Sequence, residues 1–191
     1  MKKMKGFSLL EILVVAAILS LLSIVLTQVF FVFMRTNNKT DIIQGVKSNG
    51  DRALDTLTRL IQNAKSIRPV SDSETCPESP GIGHITEVML VNPNNGETTL
   101  TCTEEEGIAR IASVSAAGQT VYLTDSNITL VENIGGTNSC SNNALSFRCS
   151  SQNGTPILLY ISYTLQQKDA SAGVNESASA SFQTTVTLRN K

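Results

Sequence analysis

The sequence predicts an α+β fold: a long N-terminal helix, apolar enough in its first half to span a membrane, packs the stripe of its second half on an antiparallel β-sheet head. Three observations carry that expectation. Ile12 to Met34 is a run of 23 residues without a charge. Apolar residues then recur at spacings of three and four as far as Ala64, and beyond Pro69 the apolar period changes to two. A chain of 191 residues has room for one ordinary domain and an anchor. Its formal net charge of -1 leaves no electrostatic footprint for nucleic acid.

The first element begins behind Lys2, Lys3 and Lys5, a basic cluster without an acid that is expected to stay in the cytoplasm. At about 1.5 Å per residue, a helix over the uncharged run covers the roughly 30 Å hydrocarbon core of a bilayer. Ala, Leu, Ile and Val are spread around its whole circumference, as suits a helix whose every face meets lipid or another apolar helix. Ser20, Ser23 and Thr27 are small enough for close helix approach and equally able to bond their own backbone. The run continues into Thr27-Gln28-Val29-Phe30-Phe31 with no small-x-small cleavage site, which argues against an ordinary secretory signal.

Glu11 breaks the apolar pattern. An ionised carboxylate facing lipid costs about 2.5–3.5 kcal/mol on insertion scales, so it requires a partner. A cut between Gly6 and Phe7 would create an α-amino group one helical turn away, at the i to i+4 spacing.

The second half of the helix carries Ile43, Val46, Ala53, Leu54, Leu57, Leu60, Ile61 and Ala64 on one side, with Arg52, Asp55, Arg59 and Gln62 between them. Gly45 and Gly50 each weaken a helix by about 1 kcal/mol against alanine. Together with Asn37-Asn38 they predict a bend or melted turn within residues 36–50. Pro69 is expected to end the helix, and Ser71 to Gly83 reads as a loop.

Eight strands are expected in the head: Ile85 to Val91, Thr98 to Thr103, Gly107 to Ala112, Gln119 to Thr124, Asn127 to Val131, Leu145 to Cys149, Pro156 to Leu165 and Ser181 to Leu188. Ile157, Leu159, Ile161, Tyr163 and Leu165 share one face of the seventh, and Phe182, Val186 and Leu188 share one face of the eighth. Turn-forming stretches such as Asn92-Pro93-Asn94-Asn95-Gly96 predict an antiparallel meander, and Ala170 to Ala180 a polar loop before the last strand.

Cys76, Cys102, Cys140 and Cys149 lie in the head without Cys-x-x-Cys spacing, so disulfides in an oxidising compartment are expected rather than a metal or redox site. Three connectivities are open, and order along the chain favours Cys76–Cys102 with Cys140–Cys149.

The inventory offers little to a reaction. His84 is the only histidine, so a nucleophile–histidine arrangement would have to be built beside a proline-rich loop. Glu104-Glu105-Glu106 lacks the alternating ligand spacing of a calcium loop and reads as a solvated turn. Gly81-Ile82-Gly83-His84 lacks the third glycine and the lysine of a phosphate loop. Asn-x-Ser/Thr matches at Asn38, Asn127, Asn153 and Asn175 follow from composition. No catalytic residue, cofactor or metal site is therefore expected, and the chain reads as a structural protein rather than an enzyme.

Lys5-Gly6-Phe7-Ser8-Leu9-Leu10-Glu11, followed by Ile12-Leu13-Val14-Val15-Ala16-Ala17-Ile18-Leu19, resembles the class III signal of type IV pilins and of type II secretion pseudopilins. The resemblance implies cleavage after Gly6 by a prepilin peptidase, N-methylation of Phe7, and docking of Glu11 near the terminal amine of an adjacent subunit. It implies a pilin-like fold divided into a leader at 1–6, a transmembrane and filament-core helix at 7–34, an amphipathic helix at 35–68 and an extracytoplasmic head at 69–191. Other pilin or pseudopilin subunits, the prepilin peptidase, an inner-membrane assembly platform and membrane lipid are the implied partners. The protein would cross the cytoplasmic membrane once, with the leader on the cytoplasmic side and the head outside, and would then enter a cell-surface or periplasmic filament. Asp51 to Ala64 and Thr184 to Asn190 are similar to the minor-pilin and J-type pseudopilin branch. Many major pilins carry a proline within the apolar segment, and this chain has none before Pro69. The competing reading is a membrane-tethered binding or adhesion protein whose anchor stays uncut.

Overall fold

The computed structural model describes residues 8–69, 85–131, 140, 144–150, 158–168 and 178–188. Two compact units divide the chain, residues 1–41 and 42–191, and helix α1 (Leu9–Asn63) contributes to both. In the first unit every described side chain is exposed, and apolar residues fill it from Leu9 to Met34. Ser20, Ser23 and Thr27 turn their hydroxyls back to the carbonyls of Ala17, Leu19 and Ser23, at 2.7–2.9 Å. Of the two roles the sequence leaves open to them, the structure shows self-bonding, which hides a polar group from an apolar surrounding.

In the second unit α1 buries Val46, Asn49, Gly50, Ala53, Leu57 and Ile61, a stripe of three- and four-residue steps. These residues share one core with Leu90, Leu100, Ile111, Leu130, Phe147, Leu159, Ile161 and Leu165. Full burial of one Leu or Ile is worth about 1.5–3 kcal/mol, so Leu57 and Ile61 alone hold the helix down firmly.

The helix ends at Asn63, earlier than Pro69 suggests. Ala64 closes a last tight turn by donating to the Ile61 carbonyl, and Lys65 then donates to the Val91 carbonyl at 2.7 Å. Ser66–Pro69 becomes strand β1, paired antiparallel with β2 (Val88–Val91). Burial of Ile67 and pairing with β2 outweigh the local helical pattern here, and proline is tolerated because β1 is an edge strand. Of the expected bend or melted turn, the melted turn is absent, since residues 36–50 are helical throughout.

All eight expected strands are found within a few residues of their expected limits. They form two antiparallel sheets rather than one. The first is a meander in which β1 and β2 are followed by β3 (Glu97–Glu105), β4 (Ile108–Ser115) and β5 (Thr120–Tyr122). In the second, β8 (Leu158–Gln167) is central and pairs along its length with β9 (Ser179–Thr187). Strand β7 (Leu145–Ser150) pairs with residues 158–163 of β8, and β6 (Ile128–Leu130) with residues 165–167. The alternation places Leu159, Ile161, Tyr163 and Leu165 inside, while Ile157 lies outside the described residues. Gln183, Thr185 and Thr187 are exposed opposite the inward Val186.

Side-chain hydroxyls replace a continuous ladder where the sheets meet. Beyond the short β5, the edge of β4 is met by Thr129, whose Oγ1 accepts from the Ala109 amide at 3.1 Å, and by Thr124, whose Oγ1 accepts from the Ile111 amide at 3.2 Å. A second seam is the isolated bridge between Ile85 and Phe147, which exchange N–H···O bonds of 3.0 and 2.8 Å. A third tie is covalent, a disulfide from Cys102 on β3 to Cys140, with Cα atoms 5.5 Å apart. This corrects the pairing favoured by chain order. Sequential proximity does not decide which cysteines the paired strands bring together, and Cys102 on β3 of the first sheet meets a residue that falls between β6 and β7 of the second in chain order. Cys149 is disulfide-bonded as well, and Cys76 lies outside the described residues.

One turn of α1 is tied to the head by polar groups. Asn49 donates its Nδ2 to an Asp125 carboxylate oxygen and accepts from the Asp125 amide at 3.2 Å. The Tyr163 hydroxyl donates to the Gly50 carbonyl at 2.8 Å, and its ring stacks on Phe182 with centroids 5.3 Å apart. A Cβ on Gly50 would fall inside the Phe182 ring, whereas one on Gly45 would meet nothing within 4 Å. Gly50 is thus a close-approach position rather than a weak point of the helix.

Opposite signs are expected for the same substitution at these two glycines. Gly45→Ala should raise stability by up to about 1 kcal/mol, whereas Gly50→Ala should lower it by about 1–3 kcal/mol because Phe182 must leave Tyr163. Thermal unfolding of the full-length protein in micelles measures both, and a stabilised Gly50→Ala variant would contradict the close approach. Peptide mapping without reductant should recover a Cys102–Cys140 cross-link, and replacing both cysteines by serine should cost about 2–4 kcal/mol. Burial, with a smaller contribution from Asp51, pushes the Tyr163 phenol above its ordinary value near 10. Its stabilising share is therefore complete below pH 10 and is lost as pH rises toward the elevated folded value. Stability curves above pH 10 should be less steep for Tyr163→Phe than for wild type, and identical slopes would remove Tyr163 as the cause.

Candidate functional site: the start of the apolar helix

An α-helix leaves its first four N–H groups without internal partners, a severe defect where water is scarce. Ser8 and Glu11 supply a remedy between them. The Ser8 carbonyl accepts from the amides of Glu11 and Ile12 at 3.0 and 3.4 Å, and the Ser8 hydroxyl accepts from the Leu10 amide at 3.3 Å. In the reverse direction the Ser8 amide donates to Glu11 Oε2 at 2.9 Å. This is a variant of the capping box, with Ser8 at the cap and Glu11 three residues on, in which the cap hydroxyl meets the second helical amide rather than the third. The Ser-x-x-Glu spacing at Ser8 and Glu11 is the sequence signal for this cap, one that the carboxylate's charge alone does not convey. It supplies Glu11 with a polar partner in its own chain.

Around this cap the surface is almost wholly apolar. Leu9 is 82% exposed and Leu10 70%, and an 18-residue stretch of α1 is long and apolar enough to cross a membrane. A helix with no buried residue over that stretch requires lipid or other apolar helices around it. Lys2, Lys3, Lys5, Gly6 and Phe7, the leader and cleavage residues expected from the sequence, lie outside the described residues.

The head offers a different inventory. Among the described residues, no three His, Cys, Asp or Glu side chains gather in a way that could hold a metal ion. Glu104 and Glu105 end β3, and Glu106 begins a two-residue turn with Gly107, both at positive φ. Glu105 lies 3.6 Å from Arg110, whose guanidinium also donates twice to the Thr124 carbonyl and covers the Tyr122 ring at 3.8 Å. The acidic run is therefore partly tied into the sheet, where the sequence alone suggested a solvated turn. His84 and the stretch Gly81 to Gly83 lie outside the described residues.

Residues 1–27 match a family model described as the prokaryotic N-terminal methylation motif. The match supports a type IV pilin-like prepilin and does not separate the branches of that group. No curated protein and no solved structure matches the chain.

Proposed function

We propose that this chain is a structural subunit of a type IV pilus, type II secretion pseudopilus or related filament, most akin to a minor pilin or pseudopilin. The observation that carries the proposal is a carboxylate capping the start of a fully exposed apolar helix, inside a segment that matches the methylation motif. In this scheme prepilin peptidase cuts after Gly6, and Phe7 becomes the N-methylated terminus. The subunit waits as a single-pass membrane protein with its head outside. An assembly platform then moves it into a filament, exchanging lipid contacts for contacts with the helices of neighbouring subunits.

Glu11 sets the axial register of that exchange. A carboxylate in an apolar surrounding is penalised wherever it lacks a counter-ion, and the new terminal amine of a neighbour provides one at a single stagger. The hydroxyls of Ser20, Ser23 and Thr27, already bonded to their own helix, make no demand on a partner. Close packing along this stretch is then governed by shape rather than by polar matching.

The mass of the native protein extracted from membranes should correspond to a chain starting at methylated Phe7. An intact Met1 would favour a tethered binding protein instead. Glu11→Ala should insert into the membrane and be processed, yet enter filaments at least about tenfold more slowly, the cost of losing a charge-assisted contact of about 1.5–3 kcal/mol. Normal filaments at the normal rate would refute the register role.

A further inference from the structure

We propose that Ser8 is a positioning residue for assembly: its backbone N–H pins one oxygen of Glu11 and leaves the other oriented to receive the ammonium of a neighbouring subunit. The inference rests on the pairing role given to Glu11 above and adds the group that prepares it. The Ser8 amide occupies Oε2 at 2.9 Å, and among the described residues no hydrogen bond or ion pair reaches Oε1. A carboxylate accepts through both oxygens, so the cap does not exhaust it. An N-methylated terminal ammonium retains two N–H donors, enough to engage the free oxygen. Ser8 and Glu11 both lie on the mature side of the expected cut, so processing leaves the arrangement intact.

A glutamate free to rotate surrenders several side-chain torsions when it docks, whereas a pinned one has already surrendered them. The cap also keeps the carboxylate along its own helix while the subunit is alone. Closing a helix start and holding a counter-charge are thus assigned to one side chain.

Three substitutions separate the two functions. Ser8→Pro removes the N–H and the hydroxyl together at the cap, a position whose own amide takes no part in the intrahelical ladder. Ser8→Ala keeps the N–H and loses only the acceptor for Leu10. Glu11→Gln keeps an oxygen for the Ser8 amide while losing the charge. Incorporation of labelled, processed subunits into filaments should fall roughly tenfold for Ser8→Pro, in line with the torsional freedom restored to Glu11, and stay near wild type for Ser8→Ala, which keeps the pin. Wild-type incorporation by processed Ser8→Pro would overturn the positioning role and leave the charge pairing standing. Wild-type incorporation by Glu11→Gln would overturn the charge pairing itself.

If the peptidase rejects Ser8→Pro, amide hydrogen exchange on the full-length precursor in micelles decides the matter. The Ser8 amide should be protected in wild type and in Glu11→Gln, and should exchange roughly tenfold faster in Glu11→Ala. Equal exchange in wild type and Glu11→Ala would overturn the pin.

Discussion

The head depends on one helical stripe meeting two sheets. Val46, Ala53, Leu57 and Ile61 of α1 enter the same core as the inward residues of β2, β3, β4, β7 and β8. Neither sheet has an unbroken ladder to the other, and their seam is made from Thr124, Thr129, the Ile85–Phe147 bridge and the Cys102–Cys140 link. A shared apolar partner is what makes such a seam sufficient, because burial supplies energy without dictating hydrogen-bond register. The buried threonine hydroxyls then serve to satisfy β4 amides that would otherwise be orphaned.

Polar contacts on α1 fix the position of the stripe rather than its affinity. A stripe of small and aliphatic residues could slide by a turn with modest loss. Asn49 against Asp125, and the Gly50 carbonyl against Tyr163, match at one setting alone. Gly50 contributes by what it lacks, since the Phe182 ring occupies the space of a side chain. The N-terminal portion of the same helix follows other rules: its residues bury nothing, its hydroxyls are turned onto the backbone, and its start is closed by Ser8 and Glu11. On a surface so uniform, that carboxylate is the one charged feature between Ser8 and Met34 that can specify a partner's register.

Much of this was legible in the sequence for definite reasons. The uncharged run from Ile12 to Met34, the stripe from Val46 to Ile61 and the alternation along Leu159 to Leu165 are each periodic over enough residues for burial to dominate local chance. Glu11 stood out because a charge among apolar residues must be compensated. Its cap with Ser8 was equally readable, as a spacing of three between a hydroxyl and a carboxylate.

Apolar periodicity, a local property of the chain, set the kind of every element except β1 and the face that each buries. The end of α1 at Asn63, the strand character of Ser66–Pro69, the division into two sheets, the role of Gly50 and the partner of Cys102 come from packing between distant parts of the chain. Each of those is settled by a competitor distant in the chain: β2 for Ser66 to Pro69, Phe182 for Gly50, Thr129 for the edge of β4, and Cys140 for Cys102. Local preferences differ by about 1 kcal/mol or less, and a single buried contact or covalent bridge with a remote residue exceeds that difference.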